Sequence, residues 1–230
     1  MASDTEQKDG MRIYPVPGPN KEEEVRYPSV TTVLNILPMP DNLKRYIEWD
    51  PEGADKNMRR RAMVGSTAHY YFECLNARKL PDHNPVIEDT IEFHRFFNSK
   101  TAKAIGEICR KLELYSRFNT FEPWFLEEKT WSHELETAGR VDFIGKFNGV
   151  SCILDLKTAK AFYPPQNGID PHALQLSAYK QGLKEVHGIE VEKLYILRVN
   201  EAKKPELKEV PDDKEGFRMA RDLFREEHGF

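Results

Sequence analysis

Residues 138–160 read AGRVDFIGKFNGVSCILDLKTAK, and Asn148-Gly149 stands at their centre between two runs rich in β-branched and aromatic residues. An Asn-Gly pair in that setting is the strongest short-range hairpin signal, because both residues accept the positive φ that a type I′ turn demands. Runs 139–147 and 150–157 are therefore predicted as paired antiparallel strands. Side chains alternate along a strand, so Val150, Cys152, Leu154 and Leu156 point into a core, and Ser151, Ile153, Asp155 and Lys157 point the other way. In the first strand Val141, Phe143 and Phe147 share a face, with Asp142 on the other. If Phe147 faces Val150 across a two-residue turn, counting back along both strands sets Asp142 directly opposite Asp155.

Directly opposed Cβ atoms lie roughly 4.5–5.5 Å apart, where like charges are destabilising. Two carboxylates at such a spot call for something to offset the repulsion. A divalent cation does so, and hard oxygen donors suit Mg²⁺ or Mn²⁺. Lys157, two residues beyond Asp155 on the same face, is placed to orient or help deprotonate a water, or to steady charge on a phosphate. Asp-x-Lys alone is a common tripeptide and reads equally well as a solvated sheet surface; the opposed Asp142 and the apolar flanks tip the balance.

Outward from the hairpin, residues 1–26, rich in charge, Pro and Gly, are expected to be a flexible tail. Ser29 is a plausible N-cap for a short helix, VTTVLNIL, that stops at Pro38 and Pro40. Helical spacing of apolar residues predicts helices at 41–49, about 55–78 and, more loosely, 86–117. A third strand is expected at 121–131 before the hairpin. After Pro164 and Pro165, a helix at 171–186, a strand at 192–199 and a helix at 212–228 follow. The expected fold is one mixed α/β domain over 27–230, mostly helical to 118, with a sheet core and C-terminal helices from 119.

The chain has 230 residues, 39% hydrophobic and 31% charged, enough for a sizeable core. No stretch approaches the ~18 consecutive apolar residues of a membrane helix, and the polar, mixed-charge N-terminus lacks the marks of a secretory or transit leader. Three scattered cysteines (Cys74, Cys109, Cys152) form no C-x-x-C pair and suggest a reduced, intracellular setting, cytoplasmic or, for a viral protein, the host cytoplasm. A net charge of −4 argues against a surface coated with basic residues, but local basic stretches remain. Lys56, Arg59, Arg60 and Arg61 crowd one helix segment, and Arg95, Lys100, Lys103, Arg110, Lys111 and Arg117 face only Glu107 and Glu113. Taken singly, each of these charges is more simply a solvated helix face. The same holds for Tyr46, Trp49, Tyr70, Tyr71 and Phe72, which could stack on bases but at such spacing are more often core.

The hairpin segment, followed by LQLSAYKQGL (174–183), resembles the nuclease core of the RecB-like branch of the PD-(D/E)XK superfamily. Asp142 matches the first acidic position, Asp155-Leu156-Lys157 the D/E-x-K element, and Gln175 with Tyr179 the Q-x-x-x-Y helix motif. Upstream, GSTAHYYFE (65–73) matches a G-x-x-x-H-x-x-x-E helix, and YPSVTTVL (27–34) is similar to the entry segment of mitochondrial genome maintenance exonucleases and small phage or viral nucleases. Each motif is weak alone; five in this order are specific.

The resemblance implies a restriction-endonuclease-like core, a central mixed sheet flanked by helices. It implies metal held by His69, Asp142, Asp155 and the Leu156 carbonyl, with Glu73, four residues after His69 on the same helix face, supporting the imidazole. A lone helix histidine would more simply be a hydrogen-bonded structural residue. Gln175 and Tyr179 would position DNA or the lysine, or, for Tyr179, serve packing. Glu127 and Glu128 lie on the preceding strand, and one of them could face the metals. Arg59, Arg60 and Arg61, preceding His69 on the same helix, would guide the DNA backbone. No cysteine set flanks the core, which implies the type without an iron–sulfur cluster. The implied reaction is metal-dependent phosphodiester hydrolysis, most simply by an exonuclease on single-stranded DNA or DNA ends, without a membrane partner. A junction-resolvase-like endonuclease would instead cut circles and act as a dimer. A non-catalytic DNA-binding descendant would have lost Asp142, Asp155 or Lys157, and all three are present.

Overall fold

The structure, a computed structural model, describes residues 5–8, 10–20, 23–77, 99–159 and 168–229. The hairpin forms as strands β5 (Thr137–Phe147) and β6 (Val150–Lys157), joined by Asn148 at φ 48° and Gly149 at φ 84°. The register runs from Phe147 opposite Val150 to Phe143 opposite Leu154. Asn148 also ties the turn to the start of the preceding strand, its Oδ1 accepting from the Thr120 N–H at 2.8 Å.

That preceding strand, β4 (Phe121–Ser132), pairs antiparallel with β5, with a bulge between Pro123 and Phe125, as expected where a proline lacks a ladder N–H. Beyond β6 the chain crosses through a helix, Pro171–His187, to β7 (Lys193–Arg198), which pairs parallel with β6. The last strand, β8 (Glu206–Val210), pairs antiparallel with β7 and closes a five-stranded mixed sheet in the order β4-β5-β6-β7-β8. β8 was not expected: its residues ELKEV sit in an acidic stretch that reads as solvated, and charged side chains are what an exposed edge strand carries.

Helices cover both faces of this sheet. In chain order they are α1 (Val30–Val33, continued by a 3-10 turn over Leu34–Ile36), α2 (Asp41–Trp49), α3 (Pro51–Asn76), α4 (Lys100–Phe118), α5 (Pro171–His187) and α6 (Lys214–His228). The predicted Ser29 cap is present, its Oγ accepting from Thr32 N at 2.9 Å. α3 starts earlier than expected because Pro51 suits the first helical turn and Asp50 caps Gly53 N at 3.0 Å. Of the expected helical region 86–117, residues 86–98 lie outside the described residues.

One core packs α1, α5 and α6 on the sheet through Leu174, Leu183, Phe217, Phe224, Ile144, Ile153 and Ile196. The other packs α3 and α4 through Ala68, Phe72, Ile108, Leu112, Phe143, Leu154 and Leu156. β6 is therefore buried on both sides, and Ile153 lies in a core rather than on an open face. Val141 departs from the expected grouping with Phe143: it packs with Val30 in the α1–α5 core, past the point where β5 leaves the β6 ladder.

The expected flexible tail is corrected by three strands, β1 (Glu6–Lys8), β2 (Met11–Pro17) and β3 (Glu24–Pro28), forming an antiparallel sheet. Tyr14 and Val16 are buried against Ala138 of β5. Main-chain contacts seat this sheet: Lys129 Nζ donates to Pro15 O at 2.6 Å and Thr137 Oγ1 to Pro28 O at 3.0 Å. The prolines and charges that suggested a tail lie on strands whose alternate residues do pack. Among the described residues no helix is long and apolar enough to cross a membrane.

Candidate active site

Where β5 and β6 part, the Leu156 N–H meets a side chain instead of a strand. In a continued ladder the Val141 carbonyl would accept it; here Asp142 Oδ2 does, at 2.6 Å. The same carboxylate reaches α3 through Oδ1, 3.1 Å from His69 Nδ1. Glu127 of β4 places Oε1 3.9 Å from the same ring nitrogen. Glu127 holds φ 50°, a left-handed conformation costing a non-glycine residue about 1–3 kcal/mol. Its neighbour Glu128 turns away, 3.1 Å from His187 Nε2 on α5. Glu127, not Glu128, is thus the strand glutamate that faces the site. Donor atoms of His69, Glu127 and Asp142 all lie within 4.8 Å of one another, a group able to hold a metal ion.

Asp155 is 2% exposed and tied from two directions. Gln175 Nε2 on α5 donates to its Oδ1 at 2.9 Å and also to Tyr179 Oη at 3.2 Å. Lys157 Nζ lies 2.7 Å from Oδ2, a close ion pair. Asp142 and Asp155 open on one cavity of 740 Å³, also lined by His69, Glu127, Lys157 and Gln175. Asp155 stands outside the tight His69–Glu127–Asp142 group, and Leu156 enters through its N–H. Glu73 lines the cavity, one turn beyond His69.

The electrostatics are those of too much negative charge in too little water. Burial, then the charge of Asp142, raises Glu127 to about 7, against the pull of His69. Burial raises Asp155 as well, opposed by Lys157. Burial alone would lower His69, but the hydrogen bond and charge of Asp142, with Asp155 and Glu127, outweigh it and hold the imidazole at about 9. Burial likewise works against the Lys157 ammonium, and Asp155 more than compensates. The donor set fits a divalent cation on this ground too: it would relieve the repulsion among three carboxylates.

Arg59, Arg60 and Arg61 are not brought into the cavity. Arg59 is exposed and pairs with Asp55 at 2.9 Å, while Arg60 and Arg61 border a separate groove between α3 and α4. Of the aromatics, Phe72 is core, Tyr46 Oη accepts from Asn57 Nδ2 at 2.6 Å, Trp49 is 82% exposed, and Tyr70 lines the cavity. Sequence reasoning missed Arg12 and Tyr14 of β2 and Arg140 of β5, all in the cavity wall. Arg140 was findable, two residues before Asp142 and so on the same strand face; Arg12 and Tyr14 were hidden by reading residues 1–26 as a tail.

A family model of the PD-(D/E)XK nuclease superfamily matches residues 42–228. No curated protein matches the chain. Among solved structures, a candidate exonuclease from Eubacterium rectale aligns at 14% identity with a TM-score of 0.42, covering 73% of this chain and 64% of that one. The chain thus spans less than two thirds of that protein's length. With the family model covering the hairpin, its flanking helices and every donor described above, this chain belongs to the PD-(D/E)XK nuclease superfamily.

Proposed function

We propose that this nuclease is a metal-dependent deoxyribonuclease of the RecB-like branch, acting as an exonuclease on single-stranded DNA or DNA ends with Mg²⁺ or Mn²⁺. One observation carries the reading: the His69, Glu127 and Asp142 donors gather beside the Asp155–Lys157 pair in a single cavity. A divalent ion held by His69, Glu127, Asp142 and Asp155 would supply Lewis acidity toward a phosphodiester. Lys157, kept charged by Asp155, presents an ammonium to the phosphate oxygens that gain negative charge. Gln175 fixes Asp155 and is itself steadied by Tyr179, so the α5 motif acts by holding the carboxylate in place. Tyr70, partly exposed in the cavity wall, gives a flat face on which an unpaired base can stack, which supports a single-stranded substrate. The order of motifs from YPSVTTVL to Q-x-x-x-Y supports the RecB-like assignment and, with it, DNA.

The test is digestion of end-labelled linear and circular single-stranded DNA, with Mg²⁺, Mn²⁺ or EDTA. Linear DNA should be degraded with metal only, circles should persist, and Asp155→Ala should lower the rate at least about 100-fold. Activity that survives EDTA sinks the metal mechanism, and cleavage of circles sinks the exonuclease mode.

A further inference from the structure

Outside the catalytic cavity, positive charge collects in the groove between α3 and α4. Two adjoining hollows of 180 and 480 Å³ share Arg60, Ala104 and Glu201, and are flanked by Arg61, Lys100 and Lys103. None of these four cations has an ion-pair partner among the described residues. Of the two acids among the described lining residues, Glu107 is taken by Arg110 at 2.9 Å, leaving Glu201. Among the described lining residues four cations thus face one free carboxylate, on a chain of net charge −4. Like charges held together without counter-ions repel one another, and a polyanion relieves that repulsion.

The groove is built rather than accidental. Lys111 of α4 donates to the carbonyls of Asn200, Glu201 and Lys203 at 2.9, 2.7 and 2.9 Å, clamping the loop after β7 onto the helix. Asn200 Nδ2 ties that loop to Ala159 O at 3.1 Å, just beyond Lys157. The groove also runs up to the cavity. Val64 and Thr158 line one, Gly65 the other, and a Cβ on Gly65 would lie 3.5 Å from Thr158 Oγ1. That is ordinary contact distance, so α3 passes close beside Thr158 where groove and cavity adjoin. Along α3, Arg61 lies eight residues before His69, ~12 Å of helix rise, a span of a few nucleotides.

We infer that Arg60, Arg61, Lys100 and Lys103 bind the phosphate backbone of the strand whose scissile bond lies in the cavity, a few nucleotides away. This rests on the nuclease reading for what happens in the cavity, and replaces the three consecutive arginines of α3 by a two-helix track from which Arg59 is excluded. A track of this kind contributes to long substrates and cannot contribute to a single nucleotide.

The experiment compares wild type with Lys100→Glu/Lys103→Glu on a 20-nucleotide single strand and on the p-nitrophenyl ester of thymidine 5′-monophosphate. Binding of the 20-mer in EDTA is followed by fluorescence anisotropy across a salt series. The expected result is a Kd for the 20-mer weakened at least tenfold, and a slope of log K against log salt smaller by about 1–2. In turnover, KM for the 20-mer should rise with kcat kept, and the kcat/KM loss should exceed that on the ester at least tenfold. Equal losses on both substrates, or an unchanged salt slope, overturn the track. Should wild type hydrolyse neither substrate, the nuclease reading falls, and the anisotropy result alone decides the groove. An Arg60→Ala/Lys103→Ala variant, milder for folding, should show the same ordering.

Discussion

Asp142 does two jobs that substitution can separate. Its Oδ2 replaces a strand carbonyl for the Leu156 N–H, and its charge belongs to the group able to hold a cation. Asp142→Asn keeps an oxygen acceptor and removes a charge that opposes Glu127 and Asp155. It also gives up the charge that holds the His69 imidazolium, so the two changes offset each other, and it should melt above Asp142→Ala in EDTA while losing metal-dependent activity. Asp142→Ala leaves a buried N–H unpaired, costing about 1–3 kcal/mol, and should melt lower. Thermal melts in EDTA distinguish the two; equal melting temperatures would mean that the backbone contact adds nothing. That Asp142 and Asp155 would share one cavity was legible, because hairpin geometry is local, although the ladder stops at Phe143 opposite Leu154, one pair short of the expected Asp142–Asp155 opposition. The backbone partner of Asp142 was not legible, since alternation describes a regular ladder and Asp142 acts where the ladder ends.

At the scale of elements, the site depends on how closely α5 lies on β5. A Cβ on Gly139 would come within 2.5 Å of Tyr179 Cε1, and Tyr179 is buried and bonded to Gln175. Gly139→Ala should displace Tyr179 and loosen Gln175 from Asp155, destabilising by about 1–3 kcal/mol. Its activity should fall by more than that stability loss explains at a temperature where the variant is fully folded. The same helix carries His172 in its first turn, facing Lys157, Asp170 and Lys208, with Asp170 Oδ1 accepting from His172 N at 3.0 Å. Burial, then the charge of Lys157, lowers the imidazole from its ordinary 6.5 to about 4. Because the folded pKa is the lower one, the unfolded chain takes up the proton first. The stability contribution is whole above pH 6.5 and is lost as pH falls toward 4. Urea unfolding at pH 7 and pH 4.5 should show wild type losing roughly 1–3 kcal/mol more than His172→Gln. A matching loss in the variant would dismiss His172 as the source. Most elements were legible in the sequence because caps, turn residues and apolar spacing act within a few residues: Ser29, Asn148-Gly149 and the α5 motif all stand where expected. β8 and β1–β3 were not, because their stability comes from distant partners, β7 for the one and Ala138 for Tyr14 and Val16.

For the whole molecule, the cavity is a seam between parts far apart in the chain: β2, α3, β4, the hairpin and α5 each contribute a wall. An ion bound there joins those parts in the folded state only, so it stabilises by mass action. At a free Mn²⁺ concentration of about 100 times Kd the gain is ~2.7 kcal/mol, a rise in Tm of roughly 5–10 °C for a chain of this size. Differential scanning fluorimetry with Mn²⁺ and with EDTA should show that rise in wild type and its loss in Asp142→Asn. An equal rise in the variant would place the stabilising ion elsewhere.

By itself the sequence determined the hairpin, its register and the pairing of an acidic strand with Asp155-x-Lys157, because turn chemistry and side-chain alternation are short-range. The family motifs added His69, Gln175 and Tyr179. Only the tertiary structure decided that Glu127 faces His69 while Glu128 does not, that Asp155 is held by Gln175 and Lys157, and that Arg12 and Tyr14 reach the same cavity. Those choices depend on where strands separate and how helices seat on both faces of the sheet. They are set by packing between residues a hundred positions apart, which no local pattern encodes.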